Sequence, residues 1–172
     1  MLGLVIAVMA ASVGSAAFAA EGFRFALIDG GEISLDDRRG KPVLVVNTAS
    51  LCGFVGQLDG LQAFHDKFGA EGALVHAVPS DDFNQELAAE ASVKEHCALA
   101  FDPTLPMTEI TSVRGQSAHP FHAWVKAETG FLPGWNFHKV LITPDGTLVG
   151  TCGSGRRPES AAIAGQTEAI PE

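Results

Sequence analysis

PVLVVNTASLCGFVGQLDGLQAFHDKFGAEGALVHAVPS, residues 42–80, is the stretch whose reading decides the fold. Its first segment, PVLVVNTAS, is an apolar run rich in β-branched residues, the pattern of a strand buried on both faces. GQLDGLQAFHDKFGAEG then places Leu58, Leu61, Phe64 and Phe68 at helical spacing and stops at Gly69. ALVHAVPS is a second buried strand. A strand, a helix and a strand in this order form a parallel βαβ unit with a right-handed crossover.

The flanks extend the pattern. Upstream, FRFALIDGGEISLDD from Phe23 reads as two short strands around the turn Asp29-Gly30-Gly31. Downstream, QELAAEASVKEHCALAF is a predicted second helix. AHPFHAWVKAETG is a third, with Pro120 in its first turn and Gly130 as its stop. FHKVLIT and TLVGT form a hairpin across Pro144-Asp145-Gly146. Alternating strands and helices followed by a hairpin predict an α/β fold with a central mixed β-sheet flanked by helices, in a thioredoxin-like arrangement.

A chain of 172 residues suits one domain, and 47% hydrophobic residues can fill its core. The net charge of −9 repels phosphate backbones, which argues against a nucleic-acid partner. Residues 1–20, MLGLVIAVMAASVGSAAFAA, carry no charge. An apolar segment leads to the small-x-small ending Ala17-Phe18-Ala19. This reads as a secretory signal peptide, although no Lys or Arg precedes the apolar core. The segment is too short and too rich in Ala, Ser and Gly for a good spanning helix. The expectation is an exported, periplasmic protein whose domain occupies residues 21–172, with no stable membrane association after cleavage.

Three cysteines, Cys52, Cys97 and Cys152, are present and no two form a CxxC pair. This argues against the usual dithiol oxidoreductase and against most structural zinc sites. Cys52 falls where the first central strand runs into the helix. In open α/β sheets that edge binds ligands, and a helix N-terminus favours a thiolate. Cysteine is also among the most buried residue types, so position alone leaves Cys52 either a nucleophile or a core residue. His119 and His122 are spaced i, i+3, but no carboxylate or cysteine joins them at metal-ligand spacing. They are expected to be solvated or helix-capping, with no metal and no cofactor.

At this point a resemblance enters. GKPVLVVNTASLCGF resembles the active-site segment of the glutathione peroxidase family, in which Asn-x-Ala-Ser-x leads to a peroxidatic Cys or selenocysteine and then Gly. PSDDFNQE is similar to the family's Pro-Cys-Asn-Gln-Phe-Gly-x-Gln-Glu loop. AHPFHAWVK is similar to its Ala-His-Pro-Leu helix start, and WNFHKVLITPDG to its Trp-Asn-Phe-x-Lys-Phe-Leu segment. The blocks cover roughly residues 23–160, in the family's order.

The resemblance implies that Cys52 is a peroxidatic nucleophile surrounded by Gln85, Trp135 and Asn136. The residue types fit the chemistry. A thiolate attacks the weak O–O bond, amides of Gln85 and Asn136 donate to developing oxygen charge, and the Trp135 indole supplies an N–H and an apolar body. The product is a sulfenic acid, which a thiol must reduce. The resemblance makes Cys97, on the second helix, a resolving cysteine that forms a Cys52–Cys97 disulfide after local unwinding. A packing role for Cys97 stays open. Cys152 has no family role: it is a buried thiol or a structural partner of Cys97.

Several positions depart from the family pattern. Ser80 replaces a Cys, Asp81 and Asp82 stand where Asn-Gln is usual, and the loop is one residue shorter. KAETGFLPGWNF lacks the longer insertion of tetrameric members, which implies a monomer. No basic cluster for glutathione's carboxylates is visible, so the implied partners are a peroxide and a thiol reductant, either glutathione or a thioredoxin-like protein. A peroxiredoxin is disfavoured because its Pro-x-x-x-Thr-x-x-Cys signature is absent. A redox sensor or disulfide relay with little turnover is the alternative from a different class.

Overall fold

The computed structural model describes residues 20–101 and 104–168. The proposed leader, apart from Ala20, lies outside the described residues. The strands are β1 (Arg24–Ala26), β2 (Glu32–Ser34), β3 (Val43–Thr48), β4 (Leu74–Pro79), β5 (Lys139–Ile142) and β6 (Leu148–Cys152). The helices are α1 (Gln57–Gly69), α2 (Glu90–Phe101), α3 (Pro120–Thr129) and α4 (Ala161–Glu168). β1 and β2 pair as a separate antiparallel ribbon, and the main sheet runs β4-β3-β5-β6. β3 and β4 are parallel, with Val43 opposite Leu74 and Thr48 opposite Pro79. β5 runs antiparallel to β3 and β6 antiparallel to β5, so the sheet is mixed as expected.

All six residues of β3 are buried, because the sheet is covered on both faces. Alternation along the strand splits the core in two. Leu44 and Val46 pack with Leu58, Leu61, Phe64 and Phe68 of α1 and with Val93 and Cys97 of α2. Val43 and Val45 pack on the other side with Phe25 and with Phe121 and Val125 of α3. The apolar period of α1, read from sequence, is the buried face observed.

α3 begins and ends as its sequence dictates. His119 Nδ1 accepts from the Phe121 N–H at 3.3 Å, Pro120 occupies the first turn, and Gly130 closes the helix at φ 72°. That left-handed conformation is one that glycine adopts without steric cost. His119 is therefore the capping histidine expected, but His122 is not solvated. It is buried, as is His76 on β4, and neither ring nitrogen of either residue has a hydrogen-bond partner. Burial pushes His122 down to about 4 and His76 to about 3, so both rings are neutral at pH 7.

Two boundaries differ from the sequence reading. α2 starts at Glu90 rather than Gln85. The Glu86 carboxylate accepts from the N–H groups of Ser50 and Leu87, and the Glu86 N–H donates to Asp81. These bonds hold residues 85–89 in a loop instead of a helical turn. α4 was not read from the sequence, since PESAAIAGQTE lacks strong apolar periodicity.

Candidate active site

The carboxyl end of β3 carries the chain into Cys52. Cys52 lies between β3 and α1, before the helix begins at Gln57, as the sequence reading has it. Its N–H donates to the Ala49 carbonyl at 3.4 Å, and its carbonyl accepts from Val55 N–H at 2.9 Å. Gln57 N–H to Phe54 and Leu58 N–H to Val55 continue these i to i+3 turns before the helix is established. The dipole effect of a helix fades beyond its end turn, so α1 lends Cys52 less than a residue of that turn receives. Cys52 is 2% exposed. Beside it in the chain, Leu51 and Phe54 are large apolar side chains left open to solvent, and so is Trp135 in the segment before β5.

Two distant segments meet this loop. The Leu51 N–H donates to the Gln85 carbonyl at 2.9 Å, tying the residue beside Cys52 to the 80–86 loop. Asn136 Nδ2 donates to Gln85 Oε1 at 3.2 Å. Asn136 is fully buried, and its Oδ1 has no hydrogen-bond partner. A buried acceptor without a partner is costly unless something fills it, and a peroxide O–H or a thiol S–H has the right chemistry. Trp135 packs its ring against Phe83 at 5.4 Å between centroids. The structure thus brings Gln85, Trp135 and Asn136 to the loop that bears Cys52.

Asn47 organises the Trp135–Asn136 turn, and the sequence reading passed over it. Its Nδ2 donates to the Trp135 carbonyl at 3.1 Å, and its Oδ1 accepts from His138 N–H at 3.0 Å. Its main-chain carbonyl accepts from Phe137 N–H at 2.6 Å. Phe137 has φ 60°, a strained value for a bulky side chain. Its fully buried ring and the Asn47 bond hold it there. The signal in the sequence was a lone amide within an otherwise apolar strand.

A second layer supports the same turn from below. Ser154 Oγ donates to the Asn136 carbonyl at 2.6 Å, and Gln57 Nε2 donates to the Ser154 carbonyl at 2.6 Å. The buried Lys139 ammonium donates to Gln57 Oε1 and to the Phe137 carbonyl, both at 2.7 Å. Burial lowers Lys139 to about 8, with Cys152 and Glu159 pulling upward. Cys152 is half-buried beside it and lines a cavity of about 410 Å³ with Lys139 and Arg156.

The acidic pair is engaged in loop hydrogen bonds. Asp82 accepts from Ser112 Oγ and from the N–H groups of Val113 and Arg114, and Asp81 accepts from Glu86 N–H. Both carboxylates therefore staple loops. Ser80 is fully buried.

Cys97 is buried on α2, in the same hydrophobic core cluster as Cys52. Burial first, and then the Glu86 carboxylate, push its thiol up to about 11. Cys152 is also raised by burial, against Lys139 and Arg156. All three cysteines are free thiols, so Cys97 and Cys152 are not bridged. Among the described residues, no cluster of three or more His, Cys, Asp or Glu side chains is arranged to hold a metal ion. Among the same residues, no helix is long and apolar enough to cross a membrane.

Comparison with known proteins bears on the family and the fold. The family model for glutathione peroxidase matches residues 22–126. A hydroperoxy fatty acid reductase from Synechocystis sp. is 36% identical over 152 residues, spanning 82% of this chain and 90% of the relative. The crystal structure of Trgpx in its apo form superposes with a TM-score of 0.66 at 29% identity, covering 91% of this chain and 99% of that one. A thiol:disulfide interchange protein of the thioredoxin family from Chlorobium tepidum matches at a TM-score of 0.63 and 15% identity. It covers 88% of this chain and 94% of its own, and shows the thioredoxin-like fold alone.

Proposed function

The chain belongs to the glutathione peroxidase family and is a thiol peroxidase, and on that premise we propose that Cys52 is its peroxidatic nucleophile, assisted by Gln85, Trp135 and Asn136 and resolved by Cys97. The observation that carries this reading is the Asn136–Gln85 hydrogen bond together with the Leu51–Gln85 bond. These join the two amides to the loop bearing Cys52.

The Cys52 thiolate attacks one peroxide oxygen. A sulfur–oxygen bond forms, the O–O bond breaks, and the departing oxygen takes a proton as water or an alcohol. Cys52 is oxidised to the sulfenic acid. Charge grows on the departing oxygen, where the free amide hydrogens of Gln85 and Asn136 and the Trp135 indole N–H are available to donate. Asn136 Oδ1 accepts from the incoming O–H.

Cys97 then displaces hydroxide from the sulfenic acid, giving the Cys52–Cys97 disulfide and water. The helix must open for this. α2 holds to the core through Val93 and Cys97, and Leu99 points into solvent, so its local opening is easier than that of α1.

The apolar rim of Leu51, Phe54 and Trp135 favours organic hydroperoxides beside hydrogen peroxide. It also offers a surface to a thioredoxin-like protein as reductant. The net charge of −9 disfavours a dedicated site for glutathione. The uncharged leader and its small-x-small ending support export to the periplasm, and the short segment before Trp135 supports a monomer. Replacing Cys52→Ser tests the assignment: peroxide consumption disappears. Wild-type turnover in that variant overturns it.

A further inference from the structure

Cys152 is the thiol that the peroxidase reading leaves without a task. It lies on β6, the edge strand of the main sheet, directly opposite Lys139 of β5. Cross-strand partners project from the same face. Further along that face Leu141 stands opposite Gly150, which has no side chain to fill the space. A cavity of about 410 Å³ opens there, and Leu44, Leu141 and Ile163 supply its apolar lining. Its polar lining is cationic. Lys139 is 1% exposed, and its ammonium donates to Gln57 Oε1 and to the Phe137 carbonyl. An ammonium has three N–H groups, and the third finds no partner among the described residues. Arg156 lines the same cavity, is exposed and forms no ion pair with the described residues. Glu159, the carboxylate that acts on Lys139, pairs with Arg157 at 3.8 Å and lies outside the lining. In a chain of net charge −9 the cavity is a local reversal of sign.

We propose that this cavity is a thiol-modification site, which takes a small carboxylate-bearing disulfide and joins half of it to Cys152. The charges match: Lys139 and Arg156 offer two positive groups to one thiolate and one carboxylate. The apolar lining accommodates the methylenes between sulfur and carboxylate. The Cys152 sulfur attacks one sulfur of the disulfide. A new S–S bond forms, the old one breaks, and the departing thiolate takes up the proton that Cys152 gave up. Cys152 is oxidised, and the small disulfide is reduced to one free thiol. Burial disfavours the Cys152 thiolate, and Lys139 and Arg156 favour it. The same two cations draw in an anionic disulfide and repel a cationic one. Hydrogen peroxide is neutral and gains nothing from that attraction, which separates this chemistry from the reaction at Cys52.

Two small disulfides of similar length and opposite charge probe the site: dithiodiglycolate, which carries carboxylates, and cystamine, which carries ammonium groups. Each is mixed with the reduced full chain, and the peptide bearing Cys152 is followed over time by mass spectrometry. Dividing each rate by that of thioglycerol, a neutral free thiol, removes the intrinsic reactivity of the disulfide. The proposal expects the normalised rate at Cys152 to be at least about tenfold higher for dithiodiglycolate than for cystamine. Arg156→Glu, a change at an exposed position, reverses one of the two cationic charges and is expected to remove most of that preference. Equal normalised rates for the two disulfides, or a preference unchanged in Arg156→Glu, overturns the proposal. So does a Cys152 that reacts with neither disulfide in the folded chain. Only the Cys152 peptide is read, so the result stands apart from whether Cys52 attacks peroxide.

Discussion

Asn136 donates through Nδ2 to Gln85 Oε1 at 3.2 Å, joining two loops 51 residues apart in the chain. Neither amide is oriented alone, so neither acts alone. Gln85→Ala and Asn136→Ala are each expected to lower the second-order rate constant for peroxide by about 10- to 100-fold. The double variant is expected to fall short of the product of the two, because each single change already disturbs the other amide. Stopped-flow oxidation rates for the four proteins test this. Strict additivity would mean that the hydrogen bond has no part in the rate.

Asn47 carries the turn on which Trp135 and Asn136 sit. Asn47→Ala leaves the Trp135 carbonyl and the His138 N–H without the partners they now have. Each orphaned backbone group costs about 1–3 kcal/mol, so a loss of about 2–6 kcal/mol in urea unfolding is expected. The peroxide rate constant is expected to fall at least about tenfold, since small misplacements of reacting groups are costly. A destabilised variant with an unaltered rate constant would separate Asn47 from the chemistry.

Cys97→Ser is expected to spare the first oxidation and abolish sustained turnover with a thioredoxin-like reductant. Cys52, lacking its resolving partner, then advances to the irreversible sulfinic acid under excess peroxide. A mass gain of two oxygens on Cys52, seen in the variant and suppressed in the wild type, is the check. Unimpaired turnover by the variant with a dithiol protein reductant would remove Cys97 from the cycle.

The buried histidines make the fold acid-sensitive. The folded chain holds His76 at about 3 and His122 at about 4, below the ordinary 6.5. The unfolded chain therefore binds protons first as pH falls. Stability is fully present above pH 6.5. It declines below that by about 1.4 kcal/mol per pH unit for each histidine until the folded values are reached. His119 and Arg38 face His76, while His119 and Asp82 face His122, and only Asp82 opposes the trend. Urea midpoints at pH 7.5 and 5 should differ clearly in wild type and by less in His122→Leu. Equal pH dependence in the two proteins would exclude His122 as a source.

The fold was largely legible because its determinants are local. The β-branched run of β3 and the spacing of Leu58, Leu61, Phe64 and Phe68 each declare an element without reference to the rest of the chain. Cys52, Gln85, Trp135 and Asn136 were named from motif blocks, and the structure brings the loops that carry them together. What escaped depends on bonds between distant loops. Glu86 looks like the first turn of a helix until Ser50, 36 residues earlier, donates to it. Asn47 looks like an interruption in an apolar strand until residues 135–138 fold onto it. His122 occupies a helix position that composition leaves neutral, and only the packing of α3 on the sheet shows it to be buried. Cys52 was read between strand and helix, where it is, but the turns at residues 49–58 that separate it from α1 have no distinctive sequence of their own.

The most direct measurement mixes the reduced protein with one equivalent of hydrogen peroxide in the presence of a sulfenic-acid trap, then maps every cysteine by mass spectrometry over time. The account predicts that Cys52 alone is trapped at early times, followed by a Cys52–Cys97 disulfide with Cys152 still reduced. Early trapping at Cys97 or Cys152 while Cys52 remains a thiol would contradict it.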